Sequence, residues 1–378
     1  MATAAHTEDR AAVDKFILWS VLALSAIGVV AVYSAVSYLA ETKSGGDTER
    51  FLINHVVRVG IALGVMGVFS LINYRFIARF SRAALIASIA LLLLTQIAGE
   101  VSGGAARWIR IGSFGFQPSD LARVALIVYV ATMLANKQLY IKSFTRAFAP
   151  VFLWILVTTA AIGIEDLSSA ALLLGTILLM CFVARVSVLH IGAVGALGVA
   201  LAYLMLLTSP GRAARVEAYT GMKLFPNTVA EEVFSEQGEG YQARQARIAF
   251  AMGGLTGVGP GKSIQRDFLP APYNDFIYAI IAEEYGLIGA LLLLGIFSVI
   301  LLRGVLRVAR HAPDPLGLFL AVGLVATLTI YGFVHAAVTS GLLPVTGLPL
   351  PFVSYGGTSL LANGMMVGIL LNISRQVE

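Results

Sequence analysis

Three carboxylates carry the densest chemistry in this sequence: Asp275, Glu283 and Glu284, all within DFLPAPYNDFIYAIIAEEYGLIG (Asp267–Gly289). The stretch opens as a polar loop broken by Pro270 and Pro272, neither of which fits a helix interior. It continues as an apolar run of helical character. Asn274 or Asp275 is a natural N-cap, since a short side-chain oxygen can accept from the free N–H groups of a first turn. Asp275 is thus expected where loop meets helix, at the lip of a membrane. An acid inside an apolar span is costly unless it is paired or faces a cavity, which makes these carboxylates functional candidates. If the helix starts near Asp275, positions 275, 279 and 283 share a face, and Glu283 looks into the same cavity about two turns deeper. There it could pair with a basic residue such as Arg123, while Glu284 turns away. A plainer role fits the same residues: Asp275 as a cap only, and Glu283 bonded to a neighbouring helix.

Cations and aromatics gather in GGAARWIRIGSFGFQPSDLAR (Gly103–Arg123). Arg107 and Arg110 flank Trp108, and a helix starts at Pro118–Ser119. Arginine can hold a phosphate bidentately, tryptophan favours the headgroup level, and a helix N-terminus adds partial positive charge. Together they suit the headgroup of an anionic lipid, or equally an ordinary interfacial anchor. Arg123 lies one turn inside a span, where it needs an acid or an anionic ligand. GLLPVTGLPLPFVSYGGTS (Gly341–Ser359) puts three prolines and four glycines beside apolar spans. Irregular backbone at membrane depth must be buried in protein or line a wet cavity. It therefore reads as a re-entrant or cavity-capping loop lined by Ser354, Tyr355 and Thr358. Asp166, in IEDLSSA, could cap the helix it opens, and His335 reads as a bonded interhelical residue. GGLTGVGPGKS (Gly253–Ser263) imitates a phosphate loop but fails on spacing: Thr256 stands where the first glycine belongs, Lys262 spoils the dinucleotide pattern, and no strand precedes it. It reads as a glycine-rich turn packed at the membrane surface.

The elements that must position these groups are membrane helices. Of the 378 residues, 58% are hydrophobic and 12% charged, against roughly 25% charged in soluble domains. Apolar spans are expected at Lys15–Ala40, Phe51–Ile72, Ala83–Ala98, Leu121–Leu134, Phe148–Ile164, Ala170–Ala184, Val188–Leu207, Phe276–Leu302, Leu316–Ser340 and Gly357–Ile373. The fold class is thus an all-α polytopic membrane protein, ten transmembrane helices in a single domain over 1–378. The first span is too long for a signal-peptide core and is retained; Met1–Asp14 is a polar, frayed start. Arg75, Arg79, Arg82, Lys137, Lys142, Arg146, Arg185, Arg303, Arg307 and Arg310 fall on one side, which places both termini in the cytoplasm. A long extracytoplasmic loop, 209–275, joins helices 7 and 8. Within it, Ala213–Met222 and Gly240–Met252 read as interfacial amphipathic helices, with an acidic loop from Glu231 between them. The one cysteine, Cys181, excludes an intrachain disulfide, and the five histidines show no metal-ligand spacing.

These stretches, taken together and in order, resemble the SEDS family of bacterial cell-wall polymerases (shape, elongation, division and sporulation proteins). The resemblance covers nearly the whole chain and rests above all on GPGKSIQRDFLPAPYNDFIYAIIAEEYGLIG and GLLPVTGLPLPFVSYGGTS. EDLSSA and SEQGEGYQARQARIAFAMGG are more similar to the division members than to the elongation members. The resemblance implies a metal-independent peptidoglycan glycosyltransferase, without a cofactor, that extends glycan strands from lipid II at the division septum. The essential carboxylate of the family's (N/T)DF(I/F) motif maps onto Asp275, the tryptophan of its RW motif onto Trp108, and the basic residue after its PSE motif onto Arg123. Substrate contacts are then expected from Arg107, Trp108, Gln117, Arg123, Lys262, Gln265, Glu283, Ser354 and Tyr355. The partners implied are a class B penicillin-binding protein, other divisome proteins and membrane lipids, with no nucleic acid. Three departures stand out: PSE is PSD here, with Asp120; the usual lysine is Arg123, which changes donor geometry; and PDLGT reads EDLSS, keeping Asp166.

In the chemistry so implied, Asp275 is the general base on the acceptor's 4-hydroxyl, whose oxygen displaces undecaprenyl diphosphate with inversion. Arg123, Lys262 and Arg107 are the cations for the departing diphosphate. Two other classes of function fit parts of the pattern. A lipid flippase would also need buried charges and a cavity, but its key charges belong near the midplane, not at a loop like Asp275. A scaffold recruiting a partner through its long loop leaves Glu283 and Arg123 without a role.

Overall fold

A computed structural model describes residues 12–43, 48–102, 105–111, 114–229, 240–269 and 271–377. Most of Met1–Asp14, the acidic loop from Glu231, and Pro270 lie outside the described residues. The helices, in chain order, are α1 (Lys15–Lys43), α2 (Thr48–Leu71), α3 (Tyr74–Arg79), α4 (Ser81–Ala98), α5 (Pro118–Asn136), α6 (Ala149–Glu165), α7 (Leu167–Val183), α8 (Val188–Thr208), α9 (Pro210–Thr220), α10 (Tyr241–Gly253), α11 (Ile277–Arg303), α12 (Pro315–Thr339) and α13 (Thr358–Ser374). Seven of the described helical segments are long and apolar enough to cross a membrane: those of α1, α2, α5, α6, α8, α11 and α12. Three shorter apolar helices, α4, α7 and α13, fall where the remaining spans were expected. The protein is a polytopic helical bundle.

Local chemistry sets the helix starts. Pro118 and Pro315 stand in the first turns of α5 and α12, where a missing N–H costs nothing. Asp314 caps α12 through Gly317 N–H at 2.7 Å. Tyr74 and Arg75 tie to the same carboxylate, which holds Asp314 below the usual carboxylate range together with the Gly317 bond. Asp166 caps α7, accepting from Ser168 N–H at 2.9 Å and Ser169 N–H at 3.3 Å, the role the sequence suggested. Between α4 and α5 the chain folds into a small antiparallel sheet, β1 (Glu100–Ser102), β2 (Ala105–Ile111) and β3 (Phe114–Phe116), in that order. Arg110 lies opposite Gly115 in its β2–β3 ladder. No strand was anticipated there.

The core runs along α1, α5, α11, α12 and α13. Helix α13 approaches α2 so closely that a side-chain carbon on Gly364 would lie 2.4 Å from Ala62 O, and one on Gly368 2.6 Å from Met66 O. Small residues allow such close contact where lipid provides no hydrophobic drive.

Helix α11 breaks at Gly286, whose φ of 68° and ψ of −169° are non-helical. The freed backbone groups find partners in the glycine-rich turn. Val258 N–H and Gly259 N–H donate to Glu283 O and Glu284 O at 2.9 and 3.0 Å, while Leu287 N–H and Ile288 N–H donate to Gly254 O and Leu255 O at 2.9 and 3.2 Å. A carbon on Gly257 would lie 2.1 Å from Glu284 O. GGLTGVGPGKS is thus neither a phosphate loop nor a turn merely lying on the surface; it fills the gap in a broken helix and satisfies its backbone, as a membrane interior demands.

Candidate active site

Asp275 sits in a turn, two residues before Ile277, which opens α11. The helix starts at Ile277, and the residue before it, Phe276, provides no side-chain cap. Neither Asn274 nor Asp275 caps α11, contrary to expectation, because the turn is clamped from the other side. Ser354 Oγ donates to Asn274 O at 2.7 Å and accepts from Leu350 N–H at 2.8 Å. Tyr355 N–H donates to Tyr273 O at 2.9 Å, and Phe276 is buried as an anchor. This holds the Asp275 carboxylate off the helix end and into a cavity of about 670 Å³. Its Oδ1 is buried without a hydrogen-bond partner. Gly347, at φ 69°, faces it across the cavity wall with no side chain in the way.

The wall is strongly cationic. Arg58, Arg107, Arg110, Arg123 and Arg215 line it against three acids, Asp120, Asp166 and Asp275, leaving a formal excess of two positive charges. Burial pushes the Asp275 carboxyl up from its ordinary 3.8 to about 6; Arg215 and Arg107 oppose that rise, and Asp166 adds to it. A carboxyl there is mostly ionised at neutral pH yet basic enough to take a proton, which suits a general base.

Each cation is positioned. Arg123, buried in α5, bonds Asp120 Oδ1 at 3.1 Å and stacks on the Tyr331 ring of α12 at 4.6 Å. Asp120 Oδ2 accepts from Thr358 Oγ1 at 2.8 Å, and that hydroxyl oxygen accepts from Gln117 N–H at 3.3 Å. The substituted acid of the PSD motif therefore ties α5 to α13. Arg107 Nε donates to Glu165 O at 2.8 Å, and Arg212 caps the same end of α6 through Gly163 O and Ile164 O at 2.9 and 2.6 Å. Arg58 lies over the Tyr355 ring at 4.6 Å, and that ring also meets His55 and Tyr273, each at 5.5 Å. A second cavity, about 370 Å³, adjoins the first: Arg107, Asp166, Arg215 and Thr346 line both, and Arg212 lines the second.

Of the expected site residues, Asp275, Arg107, Trp108, Gln117, Arg123 and Tyr355 line the main cavity. Four do not. Lys262 is exposed away from it. Gln265 is buried, with its N–H on Glu283. Ser354 spends its hydroxyl on the Asp275 turn. Glu283 neither lines the cavity nor meets Arg123; it accepts from Ser263 Oγ, Ile264 N–H and Gln265 N–H. The helix begins two residues later than the expectation assumed, and free amides of the 263–265 turn take the carboxylate. Glu284, expected to be peripheral, is equally buried and accepts from Ser34 Oγ of α1. Sequence reasoning missed Arg58, Arg215 and Tyr331 as wall residues. Arg58, an arginine ten residues into an apolar helix, carried the same signal that drew attention to Arg123.

Comparison with known proteins places the whole chain. Residues 15–378 match the family of cell cycle proteins comprising FtsW, RodA and SpoVE. The chain belongs to the FtsW/RodA/SpoVE family. It is 38% identical over 369 residues to a probable peptidoglycan glycosyltransferase FtsW of Geobacter sulfurreducens, covering 97% of this chain and 96% of that one. It is 36% identical over 375 residues to stage V sporulation protein E of Bacillus subtilis, covering 98% and 99%. Among solved structures, a chain of a peptidoglycan synthase complex that coordinates polymerization and crosslinking superposes with a TM-score of 0.77 at 24% identity, over 96% of this chain and 98% of that one. Thermus thermophilus RodA superposes at 0.69 and 22%, over 97% and 98%. The family fold is thus common to both, and the cavity described above lies within the part of the chain that matches the family, residues 15–378.

Proposed function

We propose that this protein is a peptidoglycan glycosyltransferase that polymerises lipid II, with Asp275 as its general base. The observation that carries the reading is an unpartnered carboxylate held in a cavity whose wall is dominated by arginines. The 4-hydroxyl of the acceptor sugar gives its proton to Asp275 as its oxygen attacks the donor's anomeric carbon. The bond to undecaprenyl diphosphate breaks, and the departing diphosphate takes the electron pair. Arg123, Arg58 and Arg107 lie where that charge gathers, and arginine forks suit it. Asp120 and Tyr331 hold Arg123 in place, and Tyr355 holds Arg58. Two adjoining cavities that share Arg107, Asp166 and Arg215 suit a reaction that joins two lipid-linked sugars.

In this reading the chain is one membrane domain crossed ten times, with α4, α7 and α13 completing the spans. Both termini are cytoplasmic, as the run of basic residues from Arg75 to Arg310 favours, and 209–275 is an outward loop carrying α9 and α10. The site then opens on the outer face of the bacterial cytoplasmic membrane. FtsW-named relatives support a role at the division septum, with other divisome proteins, and the fold shared with a synthase complex supports a class B penicillin-binding protein as partner. The test is polymerisation of purified lipid II by the purified protein with that partner, comparing wild type with Asp275→Ala. Glycan strands from the wild type alone support the proposal. Strands from both, or from neither, overturn it.

A further inference from the structure

At the opposite end of the bundle the chain builds a second charged pocket, of about 330 Å³. Helix α13 runs from Thr358, which bonds Asp120 of the first cavity, to Ser374 of this pocket, about 24 Å at 1.5 Å per residue, so this pocket is remote from the cavity described above. It forms where the start of α1, the end of α11 and the end of α13 meet, and Lys15, Arg303, Arg307, Phe16 and Ser374 contribute to its lining. Asp14 is the one acid lining it, and that carboxylate is already committed. Its Oδ2 accepts from Arg303 at 2.6 Å and 3.1 Å, and its Oδ1 caps α1 through Phe16 N–H and Ile17 N–H at 3.0 and 3.1 Å. Among the described residues neither Lys15 nor Arg307 has an acidic partner. Two cations therefore face the pocket with no acid among the described residues to neutralise them.

The surroundings say what kind of anion fits. Phe16 and Trp19 of α1 are more than half exposed on one flank, and Leu302 and Leu306 on the other. Arg303 lies over the Phe16 ring at 4.7 Å, fixing that flank against the pocket. A small soluble anion has no use for those apolar walls. A lipid does: its acyl chains run along them while its phosphate meets the cations, and tryptophan at this level marks the interface. We propose that this pocket seats the phosphodiester headgroup of an anionic phospholipid such as phosphatidylglycerol, in the leaflet opposite the Asp275 cavity. Zwitterionic lipids also carry a phosphodiester, but their ammonium group is repelled by Lys15 and Arg307. The pocket stands independently of the glycosyltransferase reading.

The experiment is native mass spectrometry of the full chain after reconstitution in mixed phosphatidylglycerol and phosphatidylcholine discs. Wild type is expected to keep one phosphatidylglycerol in preference to phosphatidylcholine, and to keep it in millimolar inorganic phosphate. Lys15→Gln with Arg307→Gln should hold it about thirtyfold more weakly, since each interfacial cation is worth about fivefold in binding. Both side chains are exposed, and the wild-type comparison between the two lipids needs no variant at all. Equal retention of the two lipids by wild type, unchanged retention in the double variant, or displacement by inorganic phosphate would each overturn the proposal.

Discussion

Replacing the proposed base should make the protein more stable, and the size and pH range of that gain follow from the site. The carboxyl of Asp275 is raised from 3.8 to about 6, first by burial. A raised carboxyl means that the folded state binds the proton more tightly than the unfolded chain does. Ionising Asp275 therefore costs the fold stability as pH rises from about 4 to about 6, and the full cost is present above that. At 1.36 kcal/mol per pH unit it reaches about 3 kcal/mol, an upper bound because the side chain keeps contact with the cavity. Asp275→Asn removes the charge and keeps the shape. Its melting temperature should exceed that of wild type by several degrees at pH 7 and above, and the gap should close below pH 4. Cys181 is the chain's one cysteine and is buried in α7, so a thiol-reactive dye reports unfolding directly in detergent. A cap would behave in the opposite way, with the charged aspartate favoured at a helix N-terminus. An Asn variant that melts at or below wild type across pH 5 to 8 refutes the claim that burial holds this carboxyl above its ordinary range.

Other outcomes follow from the same contacts. Arg123→Met should lower kcat/KM for lipid II by at least about tenfold more than Arg123→Lys, since losing one phosphate-facing charge-assisted bond costs 1.5–3 kcal/mol; comparable values in the two variants would make the charge irrelevant. Glu283→Gln should loosen the 263–265 turn, lowering thermal stability by about 1–3 kcal/mol before it touches chemistry, and a loss of activity at unchanged melting temperature would return Glu283 to the substrate. Gly286→Ala should reduce folded yield sharply, because a carbon there lies 2.4 Å from Leu255 on a backbone at φ 68°; wild-type yield and melting temperature would mean that the break in α11 is dispensable.

The sequence reported the apolar segments well, because each is a composition signal that the bilayer imposes directly. It also reported Asp275, Arg123, Trp108 and Tyr355, which stand out as charges or aromatics beside irregular apolar stretches. What it could not report was competition for polar atoms. Glu283 has the right spacing from Asp275 on paper, but spacing predicts a face only once the helix start is known, and the clamp from Ser354 and Tyr355 moves that start to Ile277. The amides freed in the 263–265 turn then claim the carboxylate. Gly286 reads as an ordinary helix glycine until the distant glycine-rich turn is seen to fill its break. The sheet at 100–116 is short and its partners are local, yet the arginines it displays drew the reading towards a lipid anchor. Arg215 reaches the cavity from α9, more than fifty residues before Asp275, and no local pattern links them.

The most direct test of the central claim is the pH dependence of lipid II polymerisation by the purified protein, measured as kcat/KM for wild type and Asp275→Asn. With Asp275 as the base, wild-type activity rises with pH through a midpoint near 6, the value to which burial pushes its carboxyl, and levels off above pH 7. At pH 5 about a tenth remains. The Asn variant shows no polymerisation at any pH while inserting and melting as a folded protein. A wild-type profile flat from pH 5 to 8, or an Asn variant that still makes strands, contradicts the assignment.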